Sequence, residues 1–284
     1  QGKDRVMATY RARVRARNHV AAFIKSFYRR SDMSMLELTP DFIKEFAAYL
    51  STEAGLRNGS IWANCMWLKG VVMKAHYNGL IPRNPFIQFH ISPNVKEREY
   101  LTEDELKAVM THEFADSKLA YIRDIFIFAS FTVLSFVDIQ ELTNDNIVEV
   151  NGEKWILSKR HKTKVAFQVK LLDIPLQIVE RYRPMQKDNR IFPDLNYWSI
   201  CKPLKRMIRE CGITKSISFH CSRHGFATLA LSKGMPIESV SRVLGHTNIV
   251  TTQLYAKITT QKLDNDLTMF GDKLSKTFNG ITMS

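Results

Sequence analysis

Residues 219–255 read FHCSRHGFATLALSKGMPIESVSRVLGHTNIVTTQLY, and this stretch carries several chemically active side chains at fixed spacings. His220 and Arg223 stand three apart, His246 follows a Leu-Gly pair, and Tyr255 lies nine residues further on. Positions three apart share one face of a helix, so His220 and Arg223 can address a single target. A guanidinium is a permanently charged five-donor fork matched to phosphate oxygens, and an imidazole donates or shuttles a proton near neutral pH. Among such groups a tyrosine hydroxyl can act as a nucleophile, because nearby cations lower the cost of the phenolate and of charge building on phosphorus. Each residue alone has a plainer reading: a solvated helix face for His-x-x-Arg, a helix-start feature for Gly-His, core or rim for the tyrosine.

In this order and spacing the set resembles the tyrosine recombinases, also called phage-type integrases. Their signature is His-x-x-Arg, then Leu-Gly-His, then a Tyr about nine residues on, matched at His220 to Arg223, Leu244 to His246, and Tyr255. Within the family the likeness is greatest to integrases of bacterial conjugative transposons and other mobile elements. The resemblance implies phosphoryl transfer with no cofactor: Tyr255 attacks a phosphodiester, giving a 3′-phosphotyrosine bond and a free 5′-hydroxyl. Arg223, His220 and His246 would stabilise the pentacoordinate state. It also implies a mainly α fold with a small antiparallel β-sheet, in which a helical core-type DNA-binding domain precedes an α+β catalytic domain.

One motif departs from the family. The usual string Thr-Gly-Leu-Arg, followed after two residues by an acid, is here Thr132-Val133-Leu134-Ser135, with the acid kept as Asp138. Ser135 offers one hydroxyl and no charge, so it does not replace a bidentate guanidinium. Losing a preorganised donor of that type costs roughly 10² to 10³ in rate. Another cation lies downstream. Residues 146–158 read as a hairpin around Asn151-Gly152, a type I′ turn, and continue through Lys159-Arg160-His161-Lys162-Thr163-Lys164 into a third strand. The family carries a catalytic Lys in a Lys-Thr pair on such a turn, which Lys162 matches. On an extended strand Arg160 and Lys162 project from one face, making Arg160 a candidate substitute for the missing charge. A turn at Lys162 would break that alternation.

Composition agrees with a polyanionic partner. Forty-one Lys and Arg against twenty-eight Asp and Glu give +13 and a pI near 9.6. Residues 1–91 hold fourteen basic and six acidic positions, a surplus of eight. Arg11, Arg13, Arg15, Arg17, Lys25, Arg29 and Arg30 crowd the first helix, interleaved with Tyr10, Val14, Val20, Phe23, Ile24 and Phe27, as in a basic amphipathic helix that grips DNA phosphates. Helices follow from Thr39-Pro40 and from near Ser60. The organisation expected is a helical DNA-binding domain at 1–91, a polar linker at 92–102, and a catalytic domain with C-terminal tail at 103–284. Thr102 would cap the first catalytic helix, a buried helix would span 121–134, and the chain would loosen from Gly271.

Cys65, Cys201, Cys211 and Cys221 form no C-x-x-C pair, as expected of reduced thiols in a cytosolic protein, and the histidines lack metal-ligand company. The longest uncharged apolar run, 125–137, is thirteen residues, too short to span a bilayer. The chain begins at Gln1, which reads as a fragment of a longer protein. The partners implied are double-stranded DNA, further copies of the chain assembling as a tetramer in a synaptic complex on DNA, and host DNA-bending factors, in the bacterial cytoplasm at the nucleoid. Two other function classes stay open: a catalytically weakened or inactive DNA-binding relative, favoured by Ser135, and a relaxing enzyme of the type IB topoisomerase kind.

Overall fold

A threonine hydroxyl, a proline and an acid start the second helix as the sequence pattern requires: Thr39 Oγ1 accepts from the Phe42 amide at 3.2 Å, and Pro40 takes the first helical position. The computed structural model describes residues 3–93, 99–161, 165–186, 188–246, 248–255, 260–277 and 279. The chain divides into two units, Gln1–Glu97 and Arg98–Ser284.

The first unit contains α1 (Lys3–Phe27), α2 (Pro40–Thr52) and α3 (Asn58–Tyr77). They enclose an aromatic-rich core of Phe23, Phe42, Phe46, Leu50, Ile61, Leu68, Val72 and Phe86. Phe23 meets Phe42 edge-on, with ring centroids 5.1 Å apart. The apolar stripe expected along α1 is buried only in part. Phe23 and Ile24 are covered and Val14 and Val20 half-covered, but Tyr10 and Phe27 are 59% and 55% exposed. At 1.5 Å per residue α1 is about 38 Å long against about 20 Å for α2 and about 30 Å for α3.

The second unit is built around α5 (Ser117–Thr132), whose residues Ile125 to Ala129 are all at least 96% buried. That burial accounts for the uncharged run. Around it lie α4 (Glu103–Thr111), α6 (Phe136–Gln140), α7 (Asp173–Tyr182), α8 (Tyr197–Glu210) and α9 (Cys221–Ser232). Thr102 caps α4 in a capping box with Glu105. The buried helix expected at 121–134 starts earlier, where Asp116 caps it, and ends earlier, because Val133 turns left-handed at φ 60°. The sheet is antiparallel in the order β1 (Ile147–Val150), β2 (Glu153–Lys159), β3 (Ala166–Lys170), with Ile156 facing Ile147 and Val169. Asn151 (φ 54°) and Gly152 (φ 76°) make the tight turn with two positive φ angles, as a type I′ connection needs. Then come α10 (Ile237–Leu244), α11 (Val250–Gln253) and α12 (Thr260–Thr277). The C-terminal segment is thus helical to Thr277 rather than loose from Gly271. Among the described residues no helix is long and apolar enough to cross a membrane.

Because Phe128 is fully buried at the centre of α5, Phe128→Ala should lower the stability of the second unit by about 3–5 kcal/mol. Urea unfolding followed by near-UV circular dichroism checks this. A loss below about 1 kcal/mol would contradict the packing described.

Candidate active site

Val133, the C-cap of α5, organises one wall of the site. For a β-branched residue the left-handed conformation costs about 1–2 kcal/mol. It turns the Val133 carbonyl out of the helix ladder, where it accepts from two guanidinium groups: Arg160 Nη1 at 3.2 Å and Arg223 Nη1 at 3.1 Å. Ser135 then caps α6. Its Oγ donates to Asp138 Oδ2 at 2.7 Å, and the Asp138 amide returns a bond to that Oγ at 3.4 Å. Asp138 also accepts from Arg160 Nη1 at 3.0 Å and from the His161 amide at 2.9 Å. Burial pushes the Asp138 carboxyl up, but the His161 amide, the Ser135 hydroxyl and the Arg160 guanidinium together hold it below the usual carboxylate range. The stability this contributes is present above that range and is lost as pH falls through the lowered value.

Arg160 lies just past the end of β2, where its amide donates to Val165 O at 2.8 Å. Its side chain is 8% exposed, and its guanidinium carbon sits 4.3 Å from the Phe167 ring centroid. Nη2 donates to Val243 O at 3.1 Å. Arg223, at the third position of α9, donates Nη2 to Leu244 O. Val243 and Leu244 close α10, so both cations sit at the partially negative end of that helix as well as on the C-cap carbonyl of α5. The Leu-Gly-His triplet now has a local reason for each residue. Leu244 is 99% buried; Gly245 adopts φ 65°, and a Cβ there would lie 3.6 Å from Arg160 Nε; His246 follows the turn.

Two guanidiniums against one carboxylate leave this cluster at a net +1. The excess is visible on its members. Burial, then the Arg160 charge, depress Arg223 to about 10. Burial, then Arg223, Arg160 and His220, push the His246 imidazole down to about 4, so it is neutral at pH 7. His246 Nδ1 is 2.8 Å from Thr252 Oγ1. The Tyr255 ring, half-buried against Val133, Ala227 and Leu244, lies 6.5 Å from the His246 ring with planes nearly parallel, and 5.1 Å from the His224 ring.

Arg160, Arg223, His246, Tyr255, Ser135 and Asp138 thus gather in one region. His220 is the N-cap residue of α9 rather than part of it, one turn before His224, whose ring it meets at 4.8 Å. Ser135 is turned onto Asp138 and serves as a helix cap. Lys162 lies outside the described residues. In the first unit Arg11, Arg13, Arg15, Arg17, Lys25, Arg29 and Arg30 are all exposed, but Arg30 is held by Glu37 at 2.5 and 3.2 Å. The arginines of α1 are spaced two apart, so they alternate between two sides of the helix and do not form one stripe. Sequence reasoning missed His224, readable as one turn past His220, and Thr252, whose buried hydroxyl left no pattern. Among the described residues no cluster of three or more His, Cys, Asp or Glu side chains is placed to hold a metal.

Residues 99–262 match the phage integrase family, and residues 1–91 match the phage integrase SAM-like domain. The tyrosine recombinase XerA of Pyrococcus horikoshii is 32% identical over 177 residues, covering 57% of this chain and 58% of that protein. The tyrosine recombinase XerC of Lactobacillus leichmannii is 25% identical over 229 residues, covering 75% and 77%. Among solved structures, the Tn1549 transposon integrase in complex with circular intermediate DNA superposes with a TM-score of 0.68 at 17% identity, over 84% of this chain and 87% of that one. A lambda integrase dimer bound to a COC′ core site gives 0.69 at 17% identity, over 89% of each chain. At such identities these likenesses concern the fold.

The depressed imidazole fixes a pH dependence. A histidine held neutral by the fold favours the native state above its ordinary value near 6.5, and that contribution is lost as pH falls from there towards 4. Histidine NMR titration of the free protein should therefore place the His246 midpoint near pH 4. A midpoint of 6 or above would contradict the electrostatics described here.

Proposed function

Because the chain belongs to the phage integrase family, we propose that it is a site-specific DNA recombinase that cuts and rejoins strands through a 3′-phosphotyrosine intermediate. The observation carrying this reading is the cationic cluster beside the tyrosine: Arg160 and Arg223 share the Val133 carbonyl, one carboxylate opposes them, and the net +1 complements a single phosphodiester. The two guanidiniums have ten N–H donors between them, and the protein uses three of Arg160's and two of Arg223's; with the Arg160 Nε buried, one Nη2 hydrogen of Arg160 and three donors of Arg223 are left for phosphate oxygens.

In the proposed reaction the Tyr255 oxygen attacks phosphorus, the P–O5′ bond breaks, and the tyrosine oxygen replaces O5′ as phosphate ester. The phenolic proton passes to solvent water, and O5′ leaves as a hydroxyl on receiving a proton from Lys162. Arg223, His220 and a neutral His246 offset charge on the nonbridging oxygens. Arg160 supplies the charge that position 135 lacks. The ester keeps the bond energy, so a 5′-hydroxyl from another strand reverses the step without cofactor. Exposed arginines of α1 contact duplex phosphates. The assembly is a tetramer on paired sites, aided by DNA-bending factors, acting in the bacterial cytoplasm on nucleoid DNA. The replacement at Ser135 favours one other reading, a DNA-binding relative without strand cleavage.

A suicide DNA substrate separates the two. The wild-type chain should form a covalent adduct that Tyr255→Phe abolishes; no wild-type adduct would leave only the binder. Arg160→Ala and Arg223→Ala should each slow adduct formation by roughly 10²–10³, while Ser135→Ala, which removes the α6 cap and one hydrogen bond to Asp138 but no charge, should slow it less. An unchanged rate in Arg160→Ala would refute its role. Replacing Arg13, if it touches a phosphate, should flatten the dependence of log K on log salt by about 0.9.

A further inference from the structure

We infer that Thr252 is a positioning residue that fixes the tautomer of His246, so that Nε2 carries the proton, and ties that imidazole to the helical turn bearing Tyr255. The inference rests on the recombinase reading for its consequence, though not for its geometry. Thr252 is completely buried, and its Oγ1 lies 2.8 Å from His246 Nδ1. Among the described residues this is the only hydrogen bond its hydroxyl makes, and the only one the His246 ring makes.

The direction of that bond follows from what each choice leaves unsatisfied. If Nδ1 held the proton, it would donate to Oγ1, and the Thr252 hydroxyl hydrogen would be buried with no acceptor, a costly state. If the hydroxyl donates to Nδ1, both groups are satisfied. The imidazole is neutral because burial, and then the charges of Arg223, Arg160 and His220, disfavour its protonation, so its one proton then resides on Nε2. A neutral ring with Nε2–H is a hydrogen-bond donor. It serves a nonbridging phosphoryl oxygen and cannot take a proton at that atom.

The same residue reaches the nucleophile through the backbone. Thr252 belongs to α11, and its carbonyl accepts from the Tyr255 amide at 3.0 Å. A shift of this turn that moves Tyr255 also moves the hydroxyl holding His246. The donor and the nucleophile are therefore set together, and a misplaced tyrosine comes with a misoriented imidazole.

Nitrogen-15 histidine NMR on the full chain tests the tautomer directly, with the His246 signals identified by their loss in His246→Gln. At pH 7 the wild type should show an unprotonated Nδ1 and a protonated Nε2, and Thr252→Ser should keep that pattern. Thr252→Val, of similar volume but without the hydroxyl, should lose the fixed tautomer and slow adduct formation on the suicide substrate about tenfold, with Thr252→Ser restoring most of the rate. A protonated Nδ1 in the wild type overturns the inference, as does a Thr252→Val protein with unchanged His246 signals. Absence of a wild-type adduct alongside the expected NMR pattern would defeat the recombinase reading and leave the tautomer assignment standing.

Discussion

Two guanidinium groups converge on one peptide carbonyl, that of Val133, and the rest of the second unit reads as the means of holding them there. Like charges at such separation repel, and both lose solvation on burial. Three things offset this: Asp138 against Arg160, the outward carbonyl at the end of α5, and the last carbonyls of α10. Each depends on a local feature of the chain. Val133 must turn left-handed to free its carbonyl, Gly245 must do the same to let α10 end beside Arg160, and Ser135 must cap α6 to place Asp138.

The compensation is incomplete, and that incompleteness is what makes the cluster chemically useful. Burial first, and the surplus positive charge second, depress Arg223 and His246, and the charge contribution relaxes when an anion arrives. A phosphodiester supplies one negative charge, and the pentacoordinate state derived from it supplies more. On the proposed reading the cluster would therefore stabilise the more highly charged transition state more than the resting substrate, the condition for accelerating a reaction rather than only binding. Among the described residues, Val133 and Ser135 cap helices, Arg223 stands in the first turn of α9 and Arg160 follows the end of β2, so these groups are placed by the ends of regular elements.

Much of this was readable in the residues, for physical reasons that differ by element. The Asn151-Gly152 turn, the Thr39-Pro40 start and the Thr102 capping box are local chemistry and need no tertiary information. The uncharged run at 125–137 pointed to a buried helix but not to its end, because no residue at position 133 announces a left-handed turn; a valine there is held by the surroundings against its own preference. Spacing singled out His220, Arg223, His246 and Tyr255; the fold brings Arg223, His246 and Tyr255 together, with His220 at the N-cap of α9. What Ser135 does was not: the sequence marked it as a lost charge, while the fold uses it as a cap. Arg160 was visible as a nearby cation, but its bonds to Val133, Asp138 and Val243 span 22 to 83 positions and arise only on folding. Thr252 had no signature because one buried hydroxyl resembles any other until its partner is known. Along α1, Tyr10 and Phe27 suggested a continuous apolar face, but both rings stay exposed, Phe27 lying against Phe23 and Tyr28 at the edge of the core.

On the proposed reading Arg160 and Arg223 together form the cationic side of a phosphodiester site facing Tyr255. A crystal structure of Tyr255→Phe on a duplex carrying its recombination site tests this most directly. One backbone phosphate should be seated between the two guanidiniums, with a nonbridging oxygen about 3 Å from a nitrogen of each and the residue 255 ring turned towards phosphorus. A phosphate held elsewhere, with Arg160 still sealed on Asp138 and remote from DNA, would contradict it.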